Sequence, residues 1–207
     1  MNYLQFYNQM HTFPVFSVRE IEKQFPGFDF RRLVEWQEKG YVQKLRNRYY
    51  LFTDKALNER YLFFVSNKLY SPSYVSLESA LSWYGFIPEG VFQVTSCSTR
   101  KTQSFDTPLG SFSYRLIKPQ LFFGYKLEQW KSHYISIAEP EKAVIDYLYL
   151  HHEISDPGDF ESLRWNSTEM IHSLSNEKLD RYLFHIGSKA LKKRTTLLKE
   201  FLDAKTA

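Results

Sequence analysis

The chain has almost no cysteine, since Cys97 is the only one among its 207 residues. A single cysteine cannot form an internal disulfide, which excludes a secreted disulfide scaffold. Wholly apolar runs are also short, far below the length that crosses a bilayer. The first residues lack the basic start and apolar core of a signal peptide. We therefore expect a cytoplasmic protein that has no membrane partner.

The motifs of several enzyme classes are missing as well. There is no glycine-rich phosphate loop, and the six histidines form no HExxH pair. A nucleotidyltransferase site after Gly110-Ser111 would need closely spaced carboxylates, yet no acid lies between Asp106 and Glu128. A restriction-type nuclease needs a carboxylate followed by E-x-K on a strand, whereas the EPEK of residues 139–142 opens a predicted helix. We expect no enzymatic activity, no metal site and no cofactor.

Aromatic side chains and clustered basic charge are what the chain does have. Aromatic residues make up 18% of it, and its apolar content of 43% with 24% charge is typical of a folded globular protein. Residues 31–48 hold six Lys/Arg and two Glu, a net +4, and residues 188–207 carry another +4. The rest of the chain is net −4. Two basic segments on an acidic body favour a polyanion partner, although ordinary solvated faces have the same composition.

The first half of the basic segment predicts a helix. Side chains recur at helical spacing between Asp29 and Lys39, and Gly40 stands where a helix adopts a left-handed stop. The residues predicted to face inward are Phe30, Leu33, Val34 and Gln37.

Beyond Gly40 the pattern changes to that of a β-hairpin. The period becomes two, with Tyr41, Gln43 and Leu45 on one side and Val42, Lys44 and Arg46 on the other. Asn47-Arg48 is the predicted turn, and residues 49–52 form the second strand.

Two further helices are predicted before this segment. Residues 2–10 are amphipathic, and Ser17 with Glu20 forms a capping box that opens a helix to about Gln24. Residues 12–16 are a connector, and Asp29 is positioned to cap the next helix. Three helices followed by a hairpin in about 53 residues are the order of a winged helix-turn-helix.

The remaining chain predicts a second, mixed unit. A helix over 54–70, with Leu57 on its inner face, leads to Pro72, which cannot continue it. We predict an α+β protein: residues 1–70 form the winged helix-turn-helix domain with a connecting helix, and 71–207 a second domain, mixed α/β to about 150 with a helical tail over 151–207. The elements predicted in the second domain are helices over 76–84 and 139–150, strands over 91–96, near Phe105, over 112–117 and 133–138, an aromatic loop or edge over 118–125, and tail helices over 157–164, 167–174, 176–186 and 188–203.

The basic helix and hairpin supply candidate DNA contacts. Arg31 and Arg32 lie in the first turn of the proposed recognition helix, where arginine can hold guanine with two hydrogen bonds. Cations on the hairpin, Lys44, Arg46 and Arg48, more naturally meet phosphates. The complete predicted DNA-binding set is Arg31, Arg32, Glu35, Lys39, Lys44, Arg46, Asn47 and Arg48.

Three blocks that follow the hairpin in order are similar to a known family. They are YVSLESALSWYGFIPE (74–89), VTSCSTRKTQSFDTPLGSFSYRLIKPQLFFGY (94–125) and SIAEPEKAVIDYLYL (136–150). Together with the winged segment they resemble the AbiEi antitoxins of bacterial AbiE abortive-infection systems, over nearly all of the chain to about residue 150.

The resemblance implies two activities. The winged-helix domain would bind double-stranded operator DNA and repress its own operon. The C-terminal domain would counteract AbiEii, a nucleotidyltransferase toxin encoded beside it. The family is described as type IV, so neutralisation need not involve a stable toxin complex.

One position departs from the family, and one surface remains to be assigned. Where such wings tend to have glycine, this chain has Arg48, so either the turn is of another type or Arg48 is strained. Cations outside the winged segment are the candidates for the antitoxin surface: Arg100, Lys101, Lys189, Lys192, Lys193 and Arg194.

Two alternatives remain open beside the antitoxin hypothesis. The chain could be a winged-helix regulator whose C-terminal domain senses a small ligand in an aromatic pocket. It could also be a nucleic-acid-processing enzyme delivered by the winged helix.

Overall fold

The structure, a computed structural model, describes residues 1–88 and 93–206. The described part contains ten α-helices and two β-sheets, which confirms a mixed α+β fold. Within it, no helix combines the length and the hydropathy needed to cross a bilayer.

The first sheet belongs to the N-terminal segment. Its three antiparallel strands are, in spatial order, β1 (Phe16–Ser17), β3 (Tyr49–Phe52) and β2 (Val42–Arg46), and three helices pack around them. The predicted order of three helices and a hairpin is confirmed, whereas the short strand β1 falls at the end of the predicted connector. The elements are α1 (Tyr3–Met10), β1 (Phe16–Ser17), α2 (Val18–Gln24), α3 (Arg31–Glu38), β2 (Val42–Arg46) and β3 (Tyr49–Phe52).

Local capping explains where these helices start and stop. Ser17 Oγ accepts from the Glu20 backbone N–H at 3.3 Å while the Glu20 carboxylate accepts from the Ser17 N–H at 2.7 Å, so the predicted capping box is confirmed. Gly40 has φ of 69°, and the N–H of Tyr41 donates to the Trp36 carbonyl at 2.9 Å. This is the left-handed stop predicted for α3.

One prediction about α3 is wrong and another is confirmed. Val34 was expected to face inward, but it is 55% exposed, and Leu33 and Trp36 fill the core instead. The ring of Trp36 packs in the core with its centroid 4.8 Å from that of Phe6. Because α3 is oriented to bury this large side chain, Val34 lies on the outer face. The predicted capping by Asp29 is confirmed: Phe30 precedes α3 without a side-chain cap of its own, and Asp29 Oδ1 accepts from the Arg31 N–H at 3.1 Å.

Both faces of the hairpin β2–β3 are buried. Val42 and Phe52 belong to a small core within residues 1–52, whereas Leu45 and Leu51 belong to a second, large core. A β-bulge between Lys44 and Arg46 interrupts the predicted alternation, so that Arg46 does not share the side of Val42. The small core consists of Phe6, Met10, Phe16, Ile21, Phe28, Leu33, Trp36, Val42 and Phe52.

The second sheet has six strands in the order β6-β7-β5-β4-β9-β8. The pairs β5–β7 and β4–β9 are parallel, and the other neighbours are antiparallel. The elements of this part are α4 (Glu59–Leu69), β4 (Ser73–Val75), α5 (Leu77–Trp83), β5 (Gln93–Ser98), β6 (Gln103–Thr107), β7 (Gly110–Leu116), a 3-10 turn (Pro119–Leu121), β8 (Tyr125–Trp130), β9 (His133–Ala138) and α6 (Pro140–Leu150).

The structure corrects several boundaries in this part. The helix predicted over 54–70 begins only at Glu59, because Asn58 caps it, and Leu57 is exposed rather than inward. Of the strand predicted over 91–96, residues 91–92 lie outside the described residues. Strand β8 was not predicted: it lies at the sheet edge, where charged side chains mask a strand pattern.

The helical tail is confirmed. It consists of α7 (Gly158–Ser162), α8 (Ser167–Ser173), α9 (Asn176–Ile186) and α10 (Lys189–Thr206). The large core contains the buried apolar residues from Tyr61 to Leu202, so that α4, the sheet and the tail share it. The smaller core ends at Phe52, and the division into domains at 71–73 remains a prediction.

The turn between β2 and β3 places a large side chain in the left-handed region. Arg48 has φ of 70°, whereas Asn47, which tolerates positive φ better, does not adopt it. Of the two options for this turn, Arg48 is therefore the strained residue.

We expect Arg48→Gly to raise the free energy of unfolding by about 0.5–1 kcal/mol, because glycine adopts positive φ without the Cβ clash. Asn47→Gly is the matched control, and it should lower stability by roughly the same amount because it only adds freedom to the unfolded chain. Urea unfolding of both variants measures the difference. Equal effects at the two positions would contradict the assignment of strain to Arg48.

Candidate functional site

Arg31 is fixed at the start of α3 and open to solvent. Its Nε donates to Asp29 Oδ1 at 3.0 Å and a terminal nitrogen donates to Oδ2 at 3.1 Å, while the side chain stays 89% exposed. These bonds hold the pKa of the Asp29 carboxyl below its ordinary value. A guanidinium has five N–H groups, so three remain for a nucleic acid.

The exposed face of α3 mixes three chemical types. Arg32 is half-buried, while Glu35 and Lys39 are exposed along with Glu38. Val34 lies among them with its methyl groups in solvent, and methyl groups can contact thymine in a major groove. Val34 was not predicted as a contact, because its spacing in the sequence also fits the buried stripe of α3.

The hairpin cations divide into two groups. Lys44 and Arg48 are exposed, as is the neutral Asn47 beside Arg48. The guanidinium carbon of Arg46 instead lies 3.4 Å from the ring centroid of Phe105 on β6, which is a cation–π contact. Arg46 therefore joins the hairpin to the large sheet.

Arg100 and Lys101 lie between β5 and β6 and contact the end of α4. Arg100 donates to the Ser71 carbonyl at 3.1 Å, and its guanidinium carbon is 4.2 Å from the Tyr70 ring centroid. The Tyr70 hydroxyl donates to the Lys101 carbonyl at 2.8 Å. Both residues are exposed, but the guanidinium of Arg100 is engaged in contacts within the chain.

The tail cations form a separate group on α10. Lys189, Lys192 and Lys193 are exposed, and none of them pairs with a carboxylate within the described residues. Arg194 is half-buried, and its Nε has no hydrogen-bond partner among the described atoms. Helix α10 packs on α6, α7 and α8, so its contacts are not those of Arg100 and Lys101.

An exposed aromatic ring accompanies these lysines. Phe184 on α9 is 90% exposed, and it lines a groove of about 550 Å³ together with Lys189 and Lys192. Phe184 was not among the site residues predicted from the sequence. The available signal was an aromatic residue next to the buried stripe of Leu179 and Leu183, directly before a basic segment.

A polar network lies at the centre of the large core. Lys142 and Asp146 form an ion pair on α6, and the Lys142 ammonium donates to the Tyr74 hydroxyl at 2.7 Å. Tyr74 and Ser76 each donate to Asp146 Oδ2 at 2.8 Å. These four side chains are at most 1% exposed, so they hold α6 against the sheet rather than meet a solvent-borne substrate.

The other chemically active groups of this region are also engaged in contacts. Cys97 is fully buried beside the network, and burial raises the pKa of its thiol. Glu141 accepts from the Ser175 N–H at 3.0 Å, and Lys178 pairs with Glu139 at 3.0 Å. Residues 1–88 and 93–206 contain no group of three His, Cys, Asp or Glu side chains that could hold a metal ion. The absence of enzymatic activity remains a prediction.

Comparison with known proteins adds no relative. No protein-family model and no curated protein sequence matches the chain. What the chain binds has to be inferred from its own side chains.

We expect that removing one partner of the buried ion pair destabilises the fold more than removing both. Lys142→Met leaves Asp146 charged in a dry core, which should lower the free energy of unfolding by about 3–5 kcal/mol. The double variant Lys142→Met with Asp146→Leu leaves no buried charge, so its loss should be smaller. Urea unfolding of the wild type and both variants makes the comparison. If the double variant is as unstable as the single one, the charge pairing is not what matters at this position.

Proposed function

We propose that the chain is a DNA-binding autorepressor and antitoxin of the AbiEi type. Residues 1–53 act as a winged helix-turn-helix that binds operator DNA, and the following part counteracts a nucleotidyltransferase toxin encoded beside it. The observation that carries the DNA-binding part is the joint exposure of Arg31 and Val34 on α3 with Lys44 and Arg48 on the next hairpin.

These side chains divide the work of recognition. Helix α3 enters the major groove, where Arg31 holds a guanine and Val34 contacts a thymine methyl group. Lys39, Lys44 and Arg48 contact phosphates, with Asn47 at the tip of the hairpin. Glu35 disfavours close phosphates next to the helix and so restricts its orientation. Arg46 stays on Phe105 and fixes the direction of the hairpin.

We expect salt titrations to separate these roles. Lys44→Ala and Arg48→Gly should each flatten the slope of log K against log salt by roughly 0.9, on operator and random duplexes alike. Arg46→Ala is the matched control: it removes a cation from the same hairpin but should leave that slope unchanged. Arg31→Ala should cost ~1–3 kcal/mol on the operator and relax the preference at one base pair.

The measurement is fluorescence anisotropy with DNA from upstream of the gene and a scrambled duplex. The DNA-binding proposal fails if Lys44→Ala, Arg48→Gly and Arg31→Ala bind like the wild type at every salt concentration. If Arg46→Ala flattens the slope of log K against log salt as much as Lys44→Ala does, then Arg46 leaves Phe105 and contacts DNA.

The antitoxin activity is assigned to the groove between α9 and α10. It combines unpaired cations with an exposed aromatic ring, and aromatic residues are enriched where proteins bind partners. The partner can be the toxin or the nucleic acid on which the toxin acts, because a type IV mechanism needs no stable complex of the two proteins.

We expect Phe184→Ser and Lys192→Glu to abolish growth rescue when the chain is co-expressed with the neighbouring nucleotidyltransferase. Arg31→Ala should still rescue when the antitoxin gene has its own inducible promoter, because repression is then bypassed. Ile171→Ser, another exposed apolar residue of the tail, controls for general effects of surface changes. Full rescue by both groove variants would remove this surface from the proposal.

A further inference from the structure

The large sheet ends in an unpaired strand. Among the described strands, β8 pairs only with β9. Asn67 binds both backbone groups of Ser136 on β9, with its Oδ1 accepting from the N–H at 2.7 Å and its Nδ2 donating to the carbonyl at 3.2 Å. Those groups therefore point away from β8. Leu127 lies opposite Ser136 in the antiparallel ladder, so its own N–H and C=O point outward to the open edge.

This edge is also apolar on one face. Leu127 is 62% exposed and Tyr134 is 61% exposed. They lie on the same face, because Tyr134 is paired with Gln129, which is two residues from Leu127 along β8. Strand β8 contains no proline, and its pairing with β9 shows no bulge, so it lacks two of the devices that protect open edges from pairing.

The opposite edge of the sheet has a different character. Strand β6 exposes Gln103, Ser104 and Asp106, and its apolar residue Phe105 is covered by Arg46. Of the two edge strands, β8 is therefore the one with exposed apolar surface, and this surface is suited to a binding partner.

We propose that β8 pairs with β8 of a second copy of this chain, antiparallel about a two-fold axis through Leu127. Such an interface must be complementary to itself. With the axis at Leu127, the two Leu127 side chains meet, and Lys126 of each copy lies opposite Glu128 of the other. The charge order Lys-Leu-Glu thus makes two matched ion pairs in this register.

The backbone groups fit the same register. Tyr125, Leu127 and Gln129 alternate along β8, so all three direct their N–H and C=O outward. In the paired strands the backbone of Leu127 would form hydrogen bonds with Leu127 of the second copy, and that of Tyr125 with Gln129 of the second copy. Within one chain Glu128 already contacts Arg60 at 3.5 Å and Lys126 at 3.3 Å, so its carboxylate is held near the edge in a basic surrounding.

Pairing of this kind joins two six-stranded sheets into one of twelve strands and covers Leu127. It also relates two copies of α3 by a two-fold axis, which is the symmetry of a protein that reads two half-sites. The pairing itself does not depend on DNA binding and is tested without DNA.

Sedimentation equilibrium of the full-length chain tests the proposal. We expect a mass of twice the 24.8 kDa of one chain. Lys126→Glu places like charges opposite each other in two symmetric pairs and should raise the dimer dissociation constant about tenfold or more. Combining Lys126→Glu with Glu128→Lys restores opposite charges and should restore the dimer. Leu116→Arg, at an exposed apolar residue of β7, is the control and should leave the mass unchanged.

Leu127→Pro provides a second variant that leaves the charges in place. It removes only an outward N–H, which an edge strand tolerates, and should also give a monomer. Thermal melting by circular dichroism shows whether each variant is folded. A wild type that stays monomeric at all concentrations overturns the proposal. So does a folded Leu127→Pro or Lys126→Glu variant that dimerises like the wild type, since the interface would then lie elsewhere.

Discussion

The buried ion pair of Lys142 and Asp146 is the interaction on which the large part of the structure depends. Through Tyr74 and Ser76 it ties α6 to β4 and to the start of α5. Leu77, the next residue, is buried with φ of 57°, a conformation that costs about 1–2 kcal/mol for a residue with a Cβ atom. It persists because Ser76 is held on both sides: its N–H donates to the Thr95 carbonyl at 3.1 Å, and its carbonyl accepts from the Thr95 hydroxyl at 2.8 Å.

A second constraint governs the N-terminal segment, whose hairpin is packed on both faces. Besides Arg46 on Phe105, Lys68 pairs with Glu20 at 2.6 Å, and the Tyr61 hydroxyl donates to the Pro14 carbonyl at 2.9 Å. These contacts fix the orientation of the N-terminal segment, including the hairpin, relative to the large sheet. Because α3 also packs on β2, the exposed residues of α3 and the cations of the hairpin are held on one unit.

Features with a local cause could be predicted from the sequence, and features with a distant cause could not. The Ser17 capping box and the Gly40 stop depend on neighbours a few residues away, and both are confirmed. Val34 was placed wrongly because its burial is decided by the packing of Trp36 on a ring from another helix. The internal role of Arg46 depends on Phe105, which is 59 residues further along the chain. Likewise, the sequence predicts an aromatic loop or edge only as far as Tyr125, and the edge strand that continues to Trp130 was not predicted.

The same distinction decides which positive charges can bind a partner. Arg46, Arg100 and Lys142 add to the net charge of +4 but are held by an aromatic ring, a backbone carbonyl and a buried carboxylate. The exposed cations include Arg31 and Lys39 on α3, Lys44 and Arg48 on the hairpin, and Lys189, Lys192 and Lys193 on α10. The hairpin packs against both cores, whereas α10 lies in the large core on α6, α7 and α8. Because the cations of the hairpin and those of α10 make different contacts, each group can be changed by mutation without removing the contacts of the other.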